Sequence, residues 1–259
     1  MILFTNDTTG VYDMTAGSPD LGEQALSKIV EAGMTSQLDE AENVDVDIRT
    51  NPVKLVQGEV DSVTIVGKGL VMKQDLRMET LEINTDKISI NPLSAIFGNI
   101  EFNQSTNAEA HIVLLDSDLN RALSSDFVQA KLCGLKMTVE GQPVTIDVKK
   151  AEVSLPGNNQ LVVNSDFLLV ESGESKQLTA TAVPKVQQNG QCIALDVLSA
   201  EGQGLTDELT TAIFDQIASL LDLRNFKLPV ASFQVHTLEA QQGKLVLHAT
   251  TEIDKIPSA

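Results

Sequence analysis

The sequence predicts an α+β protein built on antiparallel sheet. Three observations lead there. Most of the chain alternates apolar and polar residues with a period of two, the pattern of half-buried strands. Only three stretches switch to the helical period. Strand follows strand through short turns rich in Gly, Asn and Pro, which argues for hairpins and against alternating β/α units.

The first helix is expected in "SPDLGEQALSKIVEAG". Ser18 suits the N-cap, Pro19 the first helical position and Gly33 the stop. Leu26, Ile29, Val30 and Gly33 share one face. Then "NVDVDIR" sets Val44, Val46 and Ile48 against Asp45, Asp47 and Arg49, a strand with a charged outer face. "GEVDSVTIVGKGLVM", "LRMETLEINTD", "KISINP" and "NAEAHIVLL" continue as strands. The two glycines of "GKGL", Gly67 and Gly69, mark a bulge or bend in that run.

The second helix is expected in "DSDLNRALSSDFVQAKL", capped by Asp116, with Leu119, Leu123, Phe127 and Ala130 as its apolar stripe. Long strands follow to about residue 200. "PGNN" (Pro156 to Asn159) and "QQNG" (Gln187 to Gly190) read as hairpin turns, "ESGES" as a looser one. The third helix, "LTDELTTAIFDQIASLLDLRNFKLP", has Thr206 as cap and Asp207 and Glu208 in its first turn, where they favour the helix dipole. It should be the longest helix, over 205–223. Two strands joined at Gln242 and Gly243 follow it. The three helix starts lie about 90 to 100 residues apart, a hint of a helix-then-sheet repeat.

Wound at 100° per residue, Leu205, Leu209, Ile213, Phe214, Ile217, Leu220, Leu221 and Leu223 of the third helix fall on one side. Asp207, Glu208, Thr211, Asp215, Ser219 and Asp222 fall on the other. Such an arc suits a helix lying on a membrane, one covering a sheet, or one lining an apolar cavity. A membrane-surface helix usually carries Lys and Arg on its polar face, and this one is acidic. The pattern does not separate the other two.

Composition narrows the function. Apolar residues make 42% of 259 and charged residues 21%, a globular balance. Aromatics are only 3%, with no Trp, so platforms for stacking bases are scarce. The net charge of -18 opposes phosphate backbones and anionic headgroups alike. No nucleic-acid partner is therefore expected, and membrane contact should be transient, peripheral and driven by apolar surface. No run approaches a transmembrane helix, and the N-terminus lacks the form of a signal peptide. The expected place is the cytoplasm or the cytosolic face of a membrane.

Catalytic signatures are missing. There is no nucleophile elbow, phosphate loop, dinucleotide fingerprint or H-E-x-x-H. His111, His236 and His248 sit far apart in strand patterns, as ordinary sheet residues. Cys133 and Cys192 read as two buried thiols. Asp45 and Asp47 read as a solvated face. No enzyme, metal or cofactor is expected.

From Gly22 to about Leu132 the chain resembles the LmeA-like phospholipid-binding family, in a cyanobacterial form. The resemblance rests on "GEQALSKIVEAG", "NPVKLVQGEVDSVTIVGKGLVM", "LEINTDKISINPLSAIFG" and "LDSDLNRAL". The family in turn resembles the tubular lipid-binding superfamily. The resemblance implies a long, strongly curved antiparallel sheet wrapped against a few helices, with an apolar groove for acyl chains. It implies a single elongated lipid-binding domain over 18–259, after a flexible segment at 1–17, with halves meeting near 132–142. It also favours the cavity reading of the third helix. Leu26, Ile29, Val30, Leu119, Leu123, Phe127, Leu209, Ile213, Ile217 and Leu220 are then the expected lipid-lining residues. The implied function is non-enzymatic binding or transfer of a phospholipid or glycolipid. The alternative is a protein-interaction or assembly module of the same fold with a filled core.

Overall fold

The computed structural model describes residues 21–72, 75–91, 101–225 and 232–255. The expected Ser18 cap, Pro19 and the segment 1–17 lie outside these residues. The chain is 59% strand and forms a strongly curled, half-barrel sheet with few helices, consistent with a tubular lipid-binding type of α+β fold. All the strand pairings described are antiparallel, as the period-two pattern and the turn residues predict.

In chain order, helix α1 (Leu21–Thr35) precedes β1 (Leu38–Glu40), β2 (Asn43–Arg49) and the short helix α2 (Pro52–Val56). Next come β3 (Glu59–Val60), β4 (Ser62–Met72), β5 (Leu76–Thr85), β6 (Ile88–Ser89) and β7 (Glu101–Leu115). Helices α3 (Asp116–Ser124) and α4 (Asp126–Leu132) lead to β8 (Leu135–Val139), β9 (Gln142–Gly157) and β10 (Gln160–Leu169). After β11 (Glu174–Gln187) and β12 (Cys192–Glu201) come helix α5 (Asp207–Leu220), β13 (Ser232–Gln241) and β14 (Lys244–Lys255).

Two large sheets carry the described residues, and β3 pairs with β6 in a small third one. The first runs β1-β4-β5-β7-β14-β13, with β2 also on β4, and the second runs β12-β11-β10-β9-β8. The second sheet therefore starts at Leu135, and the final hairpin returns to the first. The two meet along β13, which lies against β9, β10 and β11. Backbone hydrogen bonds join them there: Asn159 N–H donates to the Ala240 carbonyl at 3.0 Å and Gly243 N–H to the Leu155 carbonyl at 2.8 Å.

Apolar side chains gather in three clusters. Leu26 and Val30 of α1 bury against Val46, Ile48, Val63 and Ile65 of β2 and β4. Leu209 and Ile213 of α5 bury against Ile146, Val148, Phe167, Leu178 and Ala180 of the second sheet. Ile193, Val235 and Ala249 form a smaller cluster where the sheets meet. α1 and α5 thus each pack on the sheets with the face their sequence marks as apolar.

Several local expectations need correction. Gly33 does not stop α1. The helix runs on to Thr35 with Gly33 buried inside it on the face of Leu26 and Val30, and the Thr35 and Ser36 hydroxyls bond the Glu31 and Gly33 carbonyls at its end. α1, with 15 residues, is longer than α5, with 14. The second expected helix is two helices, because Ser125 turns extended (ψ 146°) and caps α4 by accepting from Val128 N–H. Asp116 is not its N-cap. Leu115 holds that place, and its N–H donates to the Asp118 carboxylate at 3.0 Å. Helix α2 was not expected, although Asn51 caps it by accepting from Lys54 N–H and Pro52 opens it. Cys133 is exposed, and only Cys192 is buried.

Candidate functional site

Register places side chains on one face of the first sheet in rows. One row is Ile83, Ala110, Ala249 and Val235, across β5, β7, β14 and β13. Two residues along, Leu81, Ile112, Leu247 and Leu238 form the next, because a bulge at His236 keeps Leu238 in step. A third joins Leu114, Leu245 and Ala240. Neighbouring strands lie about 4.8 Å apart, so side chains in a row touch or nearly touch.

Burial differs between these rows. Ala110, Ala249 and Val235 are buried. Leu81, Ile112, Leu114 and Leu245 are half-buried and lie outside the three clusters. This strip of branched aliphatic side chains runs between the cluster under α1 and the cluster under α5. Its lining is apolar, without aromatics and conformationally soft, so it can take flexible hydrocarbon without directional contacts.

Helix α3 borders the strip and is tied to both sheets. Its Asp118 accepts from Arg77 of β5 at 2.9 Å. Its Asn120 amide pairs with Val153 of β9 as a strand neighbour would: Nδ2 donates to the carbonyl at 2.8 Å and Oδ1 accepts from the N–H at 2.7 Å. Arg77 also bonds Glu79 and Glu42. The Glu79 and Asp118 hydrogen bonds raise its pKa above the ordinary arginine value, and three carboxylates occupy this one cation.

The residues expected to line a groove fall into separate places. Leu26 and Val30, with Ile29 beside them, pack in the cluster under α1. Leu209 and Ile213 are buried under α5, with Ile217 partly buried there. Leu119, Leu123 and Leu220 are half-buried outside the clusters. Phe127 is 36% exposed, with Lys131 Nζ 5.0 Å from its ring centroid. The structure does not join α1 and α5 in one lining. The strip residues on β5, β7 and β14 were not among those expected, because strand pattern alone does not say which row stays half-buried.

At the β13 end of the third row, Ala240 also lines an open depression of about 740 Å³. The tips of the β9–β10 and β13–β14 hairpins enclose it through Pro156, Gly157, Asn158, Asn159, Glu239, Gln241 and Gln242. On the opposite face of the first sheet, His111 and His248 pair directly across β7 and β14 with ring centroids 4.5 Å apart. Among the described residues, no group of three or more His, Cys, Asp and Glu side chains is arranged to hold a metal, and no helix is long and apolar enough to cross a membrane.

No curated protein matches the chain. A family model described as LmeA-like phospholipid-binding matches residues 18–250, far beyond the stretch to Leu132 that carries the recognisable motifs. It takes in the second sheet, most of the first, the five helices described and the half-buried strip, and the chain belongs to the LmeA-like phospholipid-binding family.

Proposed function

We propose that this chain binds a diacyl lipid and releases it unchanged, acting as a lipid carrier and not as an enzyme. The carrying observation is the half-buried aliphatic strip on β5, β7 and β14, left between two fully packed clusters in a phospholipid-binding family member. In this reading the acyl chains lie along Leu81, Ile112, Leu114 and Leu245. Leu119, Leu123, Ile217 and Leu220 border the lipid, and Phe127 guards the solvent side. Leu26, Ile29, Val30, Leu209 and Ile213 form the walls that hold the curled sheets apart. The two sheets then act as halves of one lipid-binding domain.

The energetics are adequate. Each buried methylene contributes roughly 0.8 kcal/mol, so ten methylenes on the strip offer about 8 kcal/mol gross. Ordering the chain and losing its mobility offset much of that, leaving binding tight enough to carry and loose enough to release.

The test is Ile112→Trp with purified protein and fluorescent-lipid uptake. An open strip admits the indole, so uptake should fall about tenfold while the melting temperature holds. A stability loss of about 1–3 kcal/mol from overpacking, with normal uptake, would sink the reading. The exposed Val197 and Leu198 on edge strand β12 favour the second reading, a protein-interaction module. It predicts no lipid in solvent extracts of protein made in several hosts.

A further inference from the structure

We infer that His111 and His248 form a two-imidazole chelate for a divalent transition cation of tetragonal preference, copper(II) above all. The pair stands on the face of the first sheet opposite the aliphatic strip, since His111 and Ile112 alternate along β7, and it is independent of the lipid-carrier reading. The chain has three histidines, far apart in sequence, and they converge on β7, β14 and β13, consecutive strands of that sheet. His111 and His248 are register partners. His236 lies in the β13 bulge beside Thr237, the other partner of His248, and its Nε2 shares a hydrogen bond with the Thr250 hydroxyl at 2.9 Å.

Spacing points to a metal and to its geometry. The His111 and His248 ring centres are 4.5 Å apart, with the planes tilted by 36°. An imidazole nitrogen binds such a cation at about 2.0 Å, which puts the cation about 3.2 Å from the ring centre. Two rings ligating at a right angle then have centres about 4.5 Å apart, and two at the tetrahedral angle about 5.2 Å. The observed spacing fits the right angle, which copper(II) and nickel(II) prefer and zinc does not.

The donors are available. His248 is exposed and His111 half-buried, and among the described residues no hydrogen bond engages either ring. Glu82 faces His111 from β5 in the same row, but its carboxylate already accepts from the Asn84 amide at 3.1 Å. Among the described residues no third His, Cys, Asp or Glu completes a site, so the cation takes two protein nitrogens and fills its other positions with water. Calcium and magnesium, which call for oxygen ligands, are poorly served by such a pair. The net charge of -18 raises the local concentration of cations. A bound ion ties β14 to β7, the long-range pairing that brings the final hairpin into the first sheet, and it stabilises the fold because only the folded chain holds both rings together.

The experiment titrates copper(II) chloride into the full chain carrying Cys133→Ser, which removes the exposed thiol. This parent should bind one copper(II) and give an axial electron paramagnetic resonance spectrum coupled to two imidazole nitrogens, and its melting temperature should rise with copper. His111→Gln and His248→Gln should each weaken binding by about a hundredfold, the value of a second tethered donor, and abolish the melting shift. His236→Gln should bind as the parent does. The parent spectrum tests the site by itself where a variant fails to fold. No stoichiometric binding, a spectrum with one imidazole or none, or parent-like affinity in His111→Gln or His248→Gln overturns the inference. An equal loss in His236→Gln means diffuse binding by histidines, and copper-linked dimers on size-exclusion chromatography mean a bridge between two chains. Either result overturns it as well.

Discussion

Gly190 shows how one residue fixes the approach of two sheets. Its φ is +84°, and a Cβ there would stand 2.4 Å from the Val235 carbonyl oxygen. Neither the left-handed backbone nor the close approach admits a side chain. Gly190→Ala should therefore cost about 1–3 kcal/mol from backbone strain alone, read as a lowered urea midpoint. Carboxylates on the second sheet give a pH signature. Glu171 is held below the ordinary range by the Thr145 backbone N–H, and Asp147 by that of Gly134. A group with a depressed folded-state pKa contributes stability that is complete above its unfolded value, about 4, and lost as pH falls through the folded one. Stability should be flat near neutrality and decline from about pH 5 downward. Glu171→Gln should shrink that decline, as measured by urea titration across pH. These partners were not legible in the sequence, because 26 residues separate Glu171 from the N–H it accepts. The His111–His248 pair is similar: two isolated strand histidines meet only through the β7–β14 register. Gly67 and Gly69 were expected to mark a bulge or bend, yet the β4–β5 register runs through them without a shift, and Gly69 takes φ 57° inside a continuous strand. The reason for each glycine was not legible: Leu70 folds over Gly67, 2.5 Å from where a Cβ would stand, and the Glu42 side chain lies as close to Gly69.

Among elements, the hairpin turns were the most legible, since a turn's chemistry is local. Asn158, Asn159, Gln188 and Asn189 all take positive φ where the sequence shows Asn- and Gly-rich turns. Helix α5 was equally plain, and Thr206 caps it by accepting from Leu209 N–H. The break between α3 and α4 was missed although its signal was present, a Ser–Asp pair at 125–126 inside an apolar stripe. The continuous apolar stripe masks that cap in the sequence. In the structure the capped break lets α3 bridge β5 and β9 before the chain turns into β8. Packing under α5 carries its own prediction. Ile213 is buried among Ile146, Phe167 and Leu178, so Ile213→Ala should cost about 2–5 kcal/mol by thermal or urea denaturation. Lipid bound to the folded remainder should keep its affinity, because Ile213 is assigned to the wall and not to the strip.

For the whole molecule, the α+β class and antiparallel sheets were legible, and the strand order was not. Period and turns say that strands pair with neighbours. They do not say that β14 crosses back to β7 or that β13 spans the ends of β9, β10 and β11. Those pairings depend on which apolar faces remain uncovered once local hairpins have formed. Charge acts at this scale too. A net charge of -18 repels anionic bilayers over roughly 10 Å at 0.1 M salt. Lipid exchange with phosphatidylglycerol-rich vesicles should therefore speed up as salt rises, whereas exchange with phosphatidylcholine vesicles should hardly change. Stopped-flow transfer of a fluorescent lipid reads both. A salt-induced slowing with anionic vesicles would mean that a local cationic patch, and not the overall charge, governs docking.

The return of β14 to β7 also bears on how the protein is made. β7 pairs with β14 from Ala108–Thr251 to Leu115–Lys244, yet β14 emerges from the ribosome well over a hundred residues later. At about 5–20 residues per second, one edge of a 15-residue strand waits roughly 6 to 26 s for its partner. Through that interval the nascent first sheet offers open backbone and aliphatic rows to any passing chain. Chaperone cover during translation, and the acidic surface that keeps nascent copies apart, are the safeguards this topology requires.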